Sequence, residues 1–303
     1  MSVRLGALML ILIITTIFLI LIKIPKSNPQ APPERLELPP NAKETYIIFL
    51  SGLDTRCDDT PYKRMGFEYF RSQFNRVGLA YSDEHFLMYS YTGGKVLAGR
   101  WCPNSYDPLD TGQPIEFSVM RLKNMIDEFT LYHPQARYLL VGHSLGGRIA
   151  FDYAARYHLE KPGRIKGVIT LNSPLAGLSY ERLDIFASFH PNWGSPAVTQ
   201  LTAEHQLRSD SDIAEQKKEA ARRMAGAGVH LATFGTRQDS IVNPLLANLT
   251  DGQGYPLTKG HIVSADLLSV FRDLFSHFDI LYNERVADYI VQVYCCPSNG
   301  TGT

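Results

Sequence analysis

The hydrophobic positions of the chain alternate between short continuous apolar runs and longer segments in which apolar residues recur every three or four positions. Continuous runs of this length are typical of buried strands, and the wider spacing is typical of helices with one buried face. The runs predict strands at residues 45–50, 86–91, 138–141, 165–171 and 229–235. The spacing predicts helices at residues 62–74, 115–132, 148–155, 267–275 and 283–293. Strands that alternate with helices predict an α/β fold with a mainly parallel sheet flanked by helices.

This alternation stops between residues 175 and 227, a stretch that is long for a connection between two elements. Connections of this length are usually functional, as lids or binding loops, or lack secondary structure altogether. The stretch contains Phe186, Phe189 and Trp193 and then a polar helical segment. We therefore expect a helical, lid-like insertion, whose aromatic residues either face a lipid substrate or simply belong to the core.

The beginning of the chain differs from the rest because its apolar run is unbroken. Residues 5–22 contain no charge and are long enough to span a bilayer. A cleaved signal peptide is the alternative, but its apolar region is usually shorter and ends in a small-residue cleavage site, a pattern that does not follow here. The sequence predicts a single-pass membrane anchor at residues 1–26 and a proline-rich tether at residues 27–44. Basic residues flank the run on both sides, so they do not fix its orientation, and an extracytoplasmic domain is our expectation.

Composition narrows the classes of partner and cofactor. The 303 residues include 30 basic and 30 acidic side chains, so nothing in the charge balance indicates a nucleic acid partner. The four cysteines lack the spacing of zinc ligands, and we predict no metal site. Cys57 and Cys102 each follow a predicted strand on the same side of the sheet, so a disulfide and two unpaired thiols are both open. Cys295 and Cys296 are adjacent and are assigned no role.

One motif lies between the third predicted strand and the helix after it, and it reads Gly142-His143-Ser144-Leu145-Gly146-Gly147. Strand, Gly-x-Ser-x-Gly and helix together are the context of a nucleophile elbow, a sharp turn that presents a reactive serine. Gly142 and Gly146 are expected where backbones approach too closely for a Cβ atom. The sequence therefore predicts Ser144 as a catalytic nucleophile.

A serine nucleophile needs a base, and the base needs an acid that orients it. In elbow enzymes the acid and then the base follow the serine along the chain, on loops at the carboxyl ends of later strands. Asp239 comes just after the predicted strand at 229–235 and is the expected acid. His277, on the loop that enters the last predicted helix, is the expected base, with His261 as the alternative.

Two backbone amides are expected to stabilise the oxyanion that forms when the serine attacks. The residue after the nucleophile supplies one of them, which here is Leu145. The second is expected from Leu53, in the loop after the first predicted strand. Both donors are main-chain groups, so the identity of the two side chains is not critical for this role.

The motifs together resemble those of α/β-hydrolases of the lipase and esterase type over residues 45–293. The likeness rests on Gly142 to Gly147, Ser51-Gly52-Leu53, Asn172-Ser173-Pro174, Asp239 and His277. It implies an α/β-hydrolase domain at residues 45–296, with the lid-like insertion at 175–227 and a polar tail at 297–303. Two departures stand out: Ser51-Gly52 replaces the His-Gly of many lipases, and no antiparallel opening strands are predicted before residue 45.

The resemblance implies a serine hydrolase that works through an acyl-enzyme without a cofactor. We expect a membrane-anchored enzyme whose substrate is a small-molecule or lipid ester. A thioesterase or acyltransferase with the same triad is one alternative, and a non-enzymatic interaction module on the same fold is another. The sequence does not decide among them, and it does not give the acyl chain or the oligomeric state.

Overall fold

A computed structural model describes residues 40–57, 66–179, 191–206, 213–249, 256–265 and 276–296. The predicted anchor, most of the tether, the predicted helix at 267–275 and the polar tail lie outside these ranges. By contacts the chain divides into Met1–Arg35 and Leu36–Thr303, and all the described residues belong to the second unit. Within them, no helix combines the length and the apolar character needed to cross a membrane.

The described residues contain eight strands and seven α-helices, joined by short 3₁₀ turns. The strands are β1 (Thr45–Leu50), β2 (Phe86–Met88), β3 (Gly94–Leu97), β4 (Arg100–Pro103), β5 (Arg137–His143), β6 (Ile165–Leu171), β7 (His230–Thr236) and β8 (Ile262–Val263). The helices are α1 (Glu68–Gln73), α2 (Ile115–Tyr132), α3 (Leu145–Tyr157), α4 (Pro196–Gln206), α5 (Ile213–Gly226), α6 (Pro244–Ala247) and α7 (Glu284–Cys295).

Six of the strands form one sheet in the order β2-β1-β5-β6-β7-β8, and every pairing in it is parallel. Strands β1 and β6 are buried along their whole length, which explains why they read as unbroken apolar runs. The sheet flanked by helices confirms the predicted α/β class. The carboxyl ends of β1, β5, β6 and β7 lie side by side, and the segments that follow β1, β5 and β7 carry Leu53, Ser144 and Asp239.

Residues 94–103, to which the hydrophobic pattern assigns no element, form a small hairpin in the structure. Strands β3 and β4 pair antiparallel, and the indole nitrogen of Trp101 donates a hydrogen bond to the carbonyl of Met88 at 2.9 Å. The hairpin is therefore fastened to the end of the edge strand β2. Its strands have four residues each, too short for the hydrophobic pattern to reveal them among glycines and prolines.

The cysteines are free thiols. Cys57 pairs through its backbone with Tyr106, whereas Cys102 lies in β4 opposite Lys95. Of the two alternatives left open for Cys57 and Cys102, the structure therefore shows the two unpaired thiols.

The described parts of the insertion are helical, as expected, and consist mainly of α4 and α5. Trp193 is partly buried and packs against the hydrophobic core, so it follows the core alternative, whereas Phe186 and Phe189 lie outside the described residues. The insertion is tied to α3, the helix that begins directly after Ser144, through a cluster of buried charges.

Arg148 is the centre of this cluster and is only 2% exposed. Its guanidinium group makes a bidentate ion pair with Glu204 on α4, with distances of 2.6 and 2.8 Å. Its Nε atom donates to Asp152 at 2.7 Å, and Asp152 also pairs with Lys217 on α5. Two positive and two negative side chains thus compensate one another where α3, α4 and α5 meet.

We expect Glu204→Gln to lower the free energy of unfolding by about 3 kcal/mol, because the buried guanidinium of Arg148 loses its compensating charge. Glu219→Gln is the matched control, since Glu219 on α5 pairs with Arg222 while both side chains are about half exposed. Its expected effect is below about 0.5 kcal/mol. Urea unfolding of both variants measures the difference, and equal losses would contradict a structural role for the cluster.

Candidate active site

Ser144 lies at the turn from β5 into α3 with φ 53° and ψ −128°. A non-glycine residue with positive φ is uncommon and costs conformational energy, so the surrounding structure must impose it. The backbone amide of Ser144 donates to the carbonyl of Leu171 at 2.9 Å, which continues the β5–β6 pairing up to the turn. The serine therefore stands at the carboxyl end of the sheet and at the amino end of a helix.

The turn is tight enough to exclude side chains at its glycines. A Cβ atom on Gly142 would lie 2.4 Å from the Cα atom of Gly147, and one on Gly146 would lie 2.2 Å from the carbonyl oxygen of Leu50. Gly147, which the sequence reasoning did not single out, is equally restricted, because its Cβ would lie 1.9 Å from the hydroxyl of Ser173. The elbow is thus packed between the end of β1 and the Asn172-Ser173-Pro174 turn after β6.

The loop after β1 passes directly beside the serine. A Cβ on Gly52 would lie 2.7 Å from the Cβ of Ser144, so only glycine allows this approach. In the described part of the chain, the amides of Leu53 and Leu145 make no hydrogen bond to a protein group. Both predicted donors are therefore available to a bound oxygen atom.

Hydrogen bonds from three directions hold this loop in place. Tyr91 donates its hydroxyl proton to the carbonyl of Ser51 at 2.8 Å, and the amide of Asp54 donates to the hydroxyl of Thr111 at 2.9 Å. The side-chain amide of Asn192, itself 3% exposed, donates to Asp54 at 2.5 Å. The residues on both sides of Leu53 are thereby fixed.

Asp239 and His277 form a buried pair. Nδ1 of His277 lies 2.8 Å from Oδ2 of Asp239, and the two residues are 3% and 2% exposed. The other carboxylate oxygen accepts the backbone amides of Ile241 and Val242 at 2.8 and 3.0 Å. Because Nδ1 donates to the carboxylate, Nε2 is left as the basic nitrogen of the ring.

The alternative base, His261, lies elsewhere. It precedes β8, its side chain is exposed, and its ring contacts that of Phe234 with the centroids 5.3 Å apart. The structure therefore brings His277, and not His261, to the predicted acid.

Two further residues touch the base through its main chain, and the sequence reasoning assigned neither of them a role. His143 and Asn172 both donate to the carbonyl oxygen of His277. Burial lowers the pKa of His143 to about 3, and the neighbouring His277 adds to this effect, so His143 is neutral near pH 7. The sequence feature that could have identified them is their position, because His143 ends β5 and Asn172 directly follows β6.

The described residues contain no group of three or more histidine, cysteine, aspartate or glutamate side chains arranged to hold a metal ion. The polar groups assembled at the carboxyl end of the sheet are a strained serine, a histidine–carboxylate pair and two available amides. This combination is suited to nucleophilic attack on a carbonyl carbon with stabilisation of the resulting oxyanion.

A family model described as the alpha/beta hydrolase fold matches residues 99–240. The matched region contains Ser144 and Asp239 but ends before His277, so the base rests on the geometry described above. Among proteins of curated function, none matches the sequence.

Solved structures with a similar fold include the phospholipase PlaB from Legionella pneumophila, at 13% identity and a TM-score of 0.55 over 84% of this chain. This chain spans 61% of the length of that phospholipase. Aspergillus fumigatus lipase B matches at 15% identity and a TM-score of 0.49, over 87% of this chain and 56% of the lipase. A monoacylglycerol lipase from Paleococcus ferrophilus matches at 13% identity and a TM-score of 0.43, over 82% and 94%. The chain has the α/β-hydrolase fold, and the resemblance predicted from its sequence is confirmed.

The lowered pKa of His143 predicts a measurable loss of stability in acid. The unfolded state takes up this proton below pH 6.5, whereas the folded state does so only near pH 3, so stability falls as the pH falls through this interval. Between pH 7 and pH 5 the loss amounts to about 2 kcal/mol. His143→Gln removes the titrating group. Between pH 7 and pH 5, the free energy of unfolding in urea should therefore fall by about 2 kcal/mol less in this variant than in the wild type. An equal loss of unfolding free energy in the wild type and in His143→Gln over this pH range would contradict the prediction.

Proposed function

We propose that this protein is a serine hydrolase that cleaves carboxylic esters, with Ser144 as nucleophile, His277 as base and Asp239 as the orienting acid. The observation that carries the proposal is the buried Asp239–His277 pair, whose basic nitrogen remains available at the end of the sheet where the strained serine stands. The alternative is that the pair only stabilises the fold. That alternative does not explain why a serine with a strained backbone and two amides without a protein acceptor among the described residues are found at the same end of the sheet.

In the proposed reaction, His277 removes the hydroxyl proton of Ser144 as the serine oxygen bonds to the carbonyl carbon. The carbonyl oxygen becomes an oxyanion and accepts hydrogen bonds from the amides of Leu53 and Leu145. The imidazolium then gives its proton to the leaving alcohol, and the acyl group stays on the serine. Water then bonds to the acyl carbon as it loses a proton to His277. The bond between this carbon and the serine oxygen breaks, the imidazolium returns the proton to Ser144, and the carboxylic acid leaves.

Exposed apolar side chains on the segments that follow the acid and the base favour an ester with an apolar acyl chain. Leu245 on α6 is 59% exposed, while Phe278 and Tyr282, after His277, are 41% and 53% exposed. Of these, Phe278 lies at the proposed base, since its ring centroid is 5.4 Å from that of His277, and an exposed apolar side chain there offers a contact to an apolar acyl chain. We therefore propose lipidic esters as the substrate class.

Residues 1–26 are proposed to hold this domain at a bilayer, with the domain on the extracytoplasmic side. The proposal rests on the uncharged run at residues 5–22, whose length matches a bilayer. An enzyme held at a membrane meets lipid esters without first extracting them into water. The ester chemistry itself does not depend on this anchor.

Ser144→Ala should abolish covalent labelling by a fluorophosphonate probe, and His277→Ala should slow it by about 10³-fold or more, because the nucleophile loses its base. Asp239→Asn should lower kcat for p-nitrophenyl esters on the order of 10⁴-fold, since the amide favours the wrong tautomer of the histidine. His261→Ala is the matched control and should label at the wild-type rate. Labelling lost in His261→Ala and kept in His277→Ala would reverse the assignment of the base.

The apolar surroundings predict that kcat/KM for p-nitrophenyl esters rises from the acetate to the octanoate. Each buried methylene contributes about 0.8 kcal/mol, and a tenfold rise corresponds to about 1.4 kcal/mol. Burial of about two of the added methylenes is therefore enough for the rise of about tenfold that we expect across the series. Replacing Phe278 with Ser should flatten this dependence more than it lowers the activity on acetate. An enzyme that is active on acetate alone would contradict the lipidic assignment and leave the esterase assignment in place.

A further inference from the structure

The main-chain carbonyl of His277 is held by two side chains that come from remote parts of the chain. Nε2 of His143, at the end of β5, donates to this oxygen at 2.9 Å. Nδ2 of Asn172, just after β6, donates to the same oxygen at 2.8 Å. A carbonyl oxygen has two acceptor positions, and both are filled here by buried donors.

Asn172 cannot move without disturbing the central strands. Its Oδ1 atom accepts the amide of Thr236 at 2.6 Å, and its Nδ2 atom also donates to the hydroxyl of Thr236 at 3.0 Å. Its φ angle is 46°, a region that asparagine tolerates better than most other residues. The carbonyl of His277 is thereby connected to the carboxyl ends of both β6 and β7.

His143 is a donor whose state does not change in the working pH range. The carbonyl oxygen can only accept, so Nε2 must carry the proton, and the neutral ring is fixed in one tautomer. Its ring lies beside that of His277, with the centroids 4.7 Å apart. A charged neighbour at this distance would oppose a positive charge on His277, whereas a neutral one does not.

The segment that carries His277 is under conformational strain, so contacts from the surrounding structure are needed to hold it. Ser276, the preceding residue, is buried and has a φ of 47°. Such backbone persists only when surrounding contacts impose it. The contact between His277 and Asp239 fixes the ring, and the two donors fix the main chain from which the ring extends.

From this arrangement we propose that His143 and Asn172 are positioning residues for the general base, which they hold through the main-chain carbonyl of His277. The proposal rests on the proposed function, since His277 must be the base for its position to affect the reaction. In the first step the O–H bond of Ser144 breaks and an N–H bond forms at Nε2 of His277. The two donors keep Nε2 at the distance that this transfer requires.

The test compares two replacements of His143 with a matched control. His143→Leu keeps a buried side chain but removes the donor, and His143→Gln keeps an amide nitrogen near the position of Nε2. His158→Leu is the control, because His158 is also buried and donates to a backbone carbonyl, that of Ala154 at 2.8 Å, but it lies at the end of α3 away from the elbow. Urea unfolding of each variant reports how much stability is lost without reference to activity.

We expect His143→Leu to lower kcat for p-nitrophenyl butyrate by about 10- to 100-fold with little change in KM, because a misplaced base slows the proton transfer and not the binding. His143→Gln should recover most of kcat. His158→Leu should lose stability and keep kcat. Asn172→Asp, which keeps the shape and loses the donor, should behave as His143→Leu does.

A second measurement observes the base without any substrate. The proton that Nδ1 of His277 donates to Asp239 should give a far-downfield ¹H resonance, identified by its absence in Asp239→Asn. We expect this resonance to persist in His143→Gln and His158→Leu and to be lost or broadened in His143→Leu.

The outcomes separate this proposal from the one on which it rests. If the wild type neither labels nor hydrolyses esters while the resonance changes as expected, the hydrolase assignment fails and the holding of His277 stands. If the wild type is active but His143→Leu keeps both its kcat and the resonance, the positioning role is wrong. A loss of kcat that His143→Gln does not recover, or that His158→Leu shares, would also overturn it.

Discussion

The turn between β5 and α3 depends on the absence of side chains at three glycines. The ends of β1 and β6 approach the elbow from opposite sides, and a Cβ atom on Gly142, Gly146 or Gly147 would lie within 2.4 Å of a neighbouring atom. This close packing imposes the positive φ of Ser144 and turns its side chain away from the core. It also brings the loop after β1 against the serine, so that one steric constraint places both Ser144 and the amides of Leu53 and Leu145.

Buried charges connect the helix that begins directly after Ser144 to the insertion: Arg148 and Asp152 lie on α3, Glu204 on α4 and Lys217 on α5. Removing any one of them would leave a buried charge without its partner, which is far more costly than an exposed pair. These ion pairs join α4 and α5 of the insertion to α3, the helix that begins directly after Ser144. These two helices, which belong to the predicted lid-like insertion at 175–227, are therefore attached to α3 by buried ion pairs.

Much of this arrangement could be predicted from the sequence because its signals are local. Five strands read as continuous apolar runs since helices cover both faces of the sheet, and the elbow is a contiguous motif. Asp239 and His277 were expected because the acid and the base follow the serine in a fixed order, and the sequence already favoured His277 over His261. The structure adds the hydrogen bond between His277 and Asp239. The hairpin of β3 and β4 was missed because its strands are short, and residue spacing alone does not give the distance between Cys57 and Cys102.

The hydrogen bonds from His143 and Asn172 to His277 could not be predicted from the sequence. Their acceptor is a main-chain carbonyl, which every residue has, so no residue type indicates it. His143 stands 134 positions before that carbonyl and Asn172 stands 105 before it. Both donors are neutral, and neutral donors suit this position better than charged ones. A lysine or arginine would hold the carbonyl more strongly, but its charge would disfavour the imidazolium that must form a few ångströms away. Neutral donors fix the position of His277 without placing a positive charge beside its ring. The compensated charges around Arg148 hold α3, the helix that begins directly after Ser144.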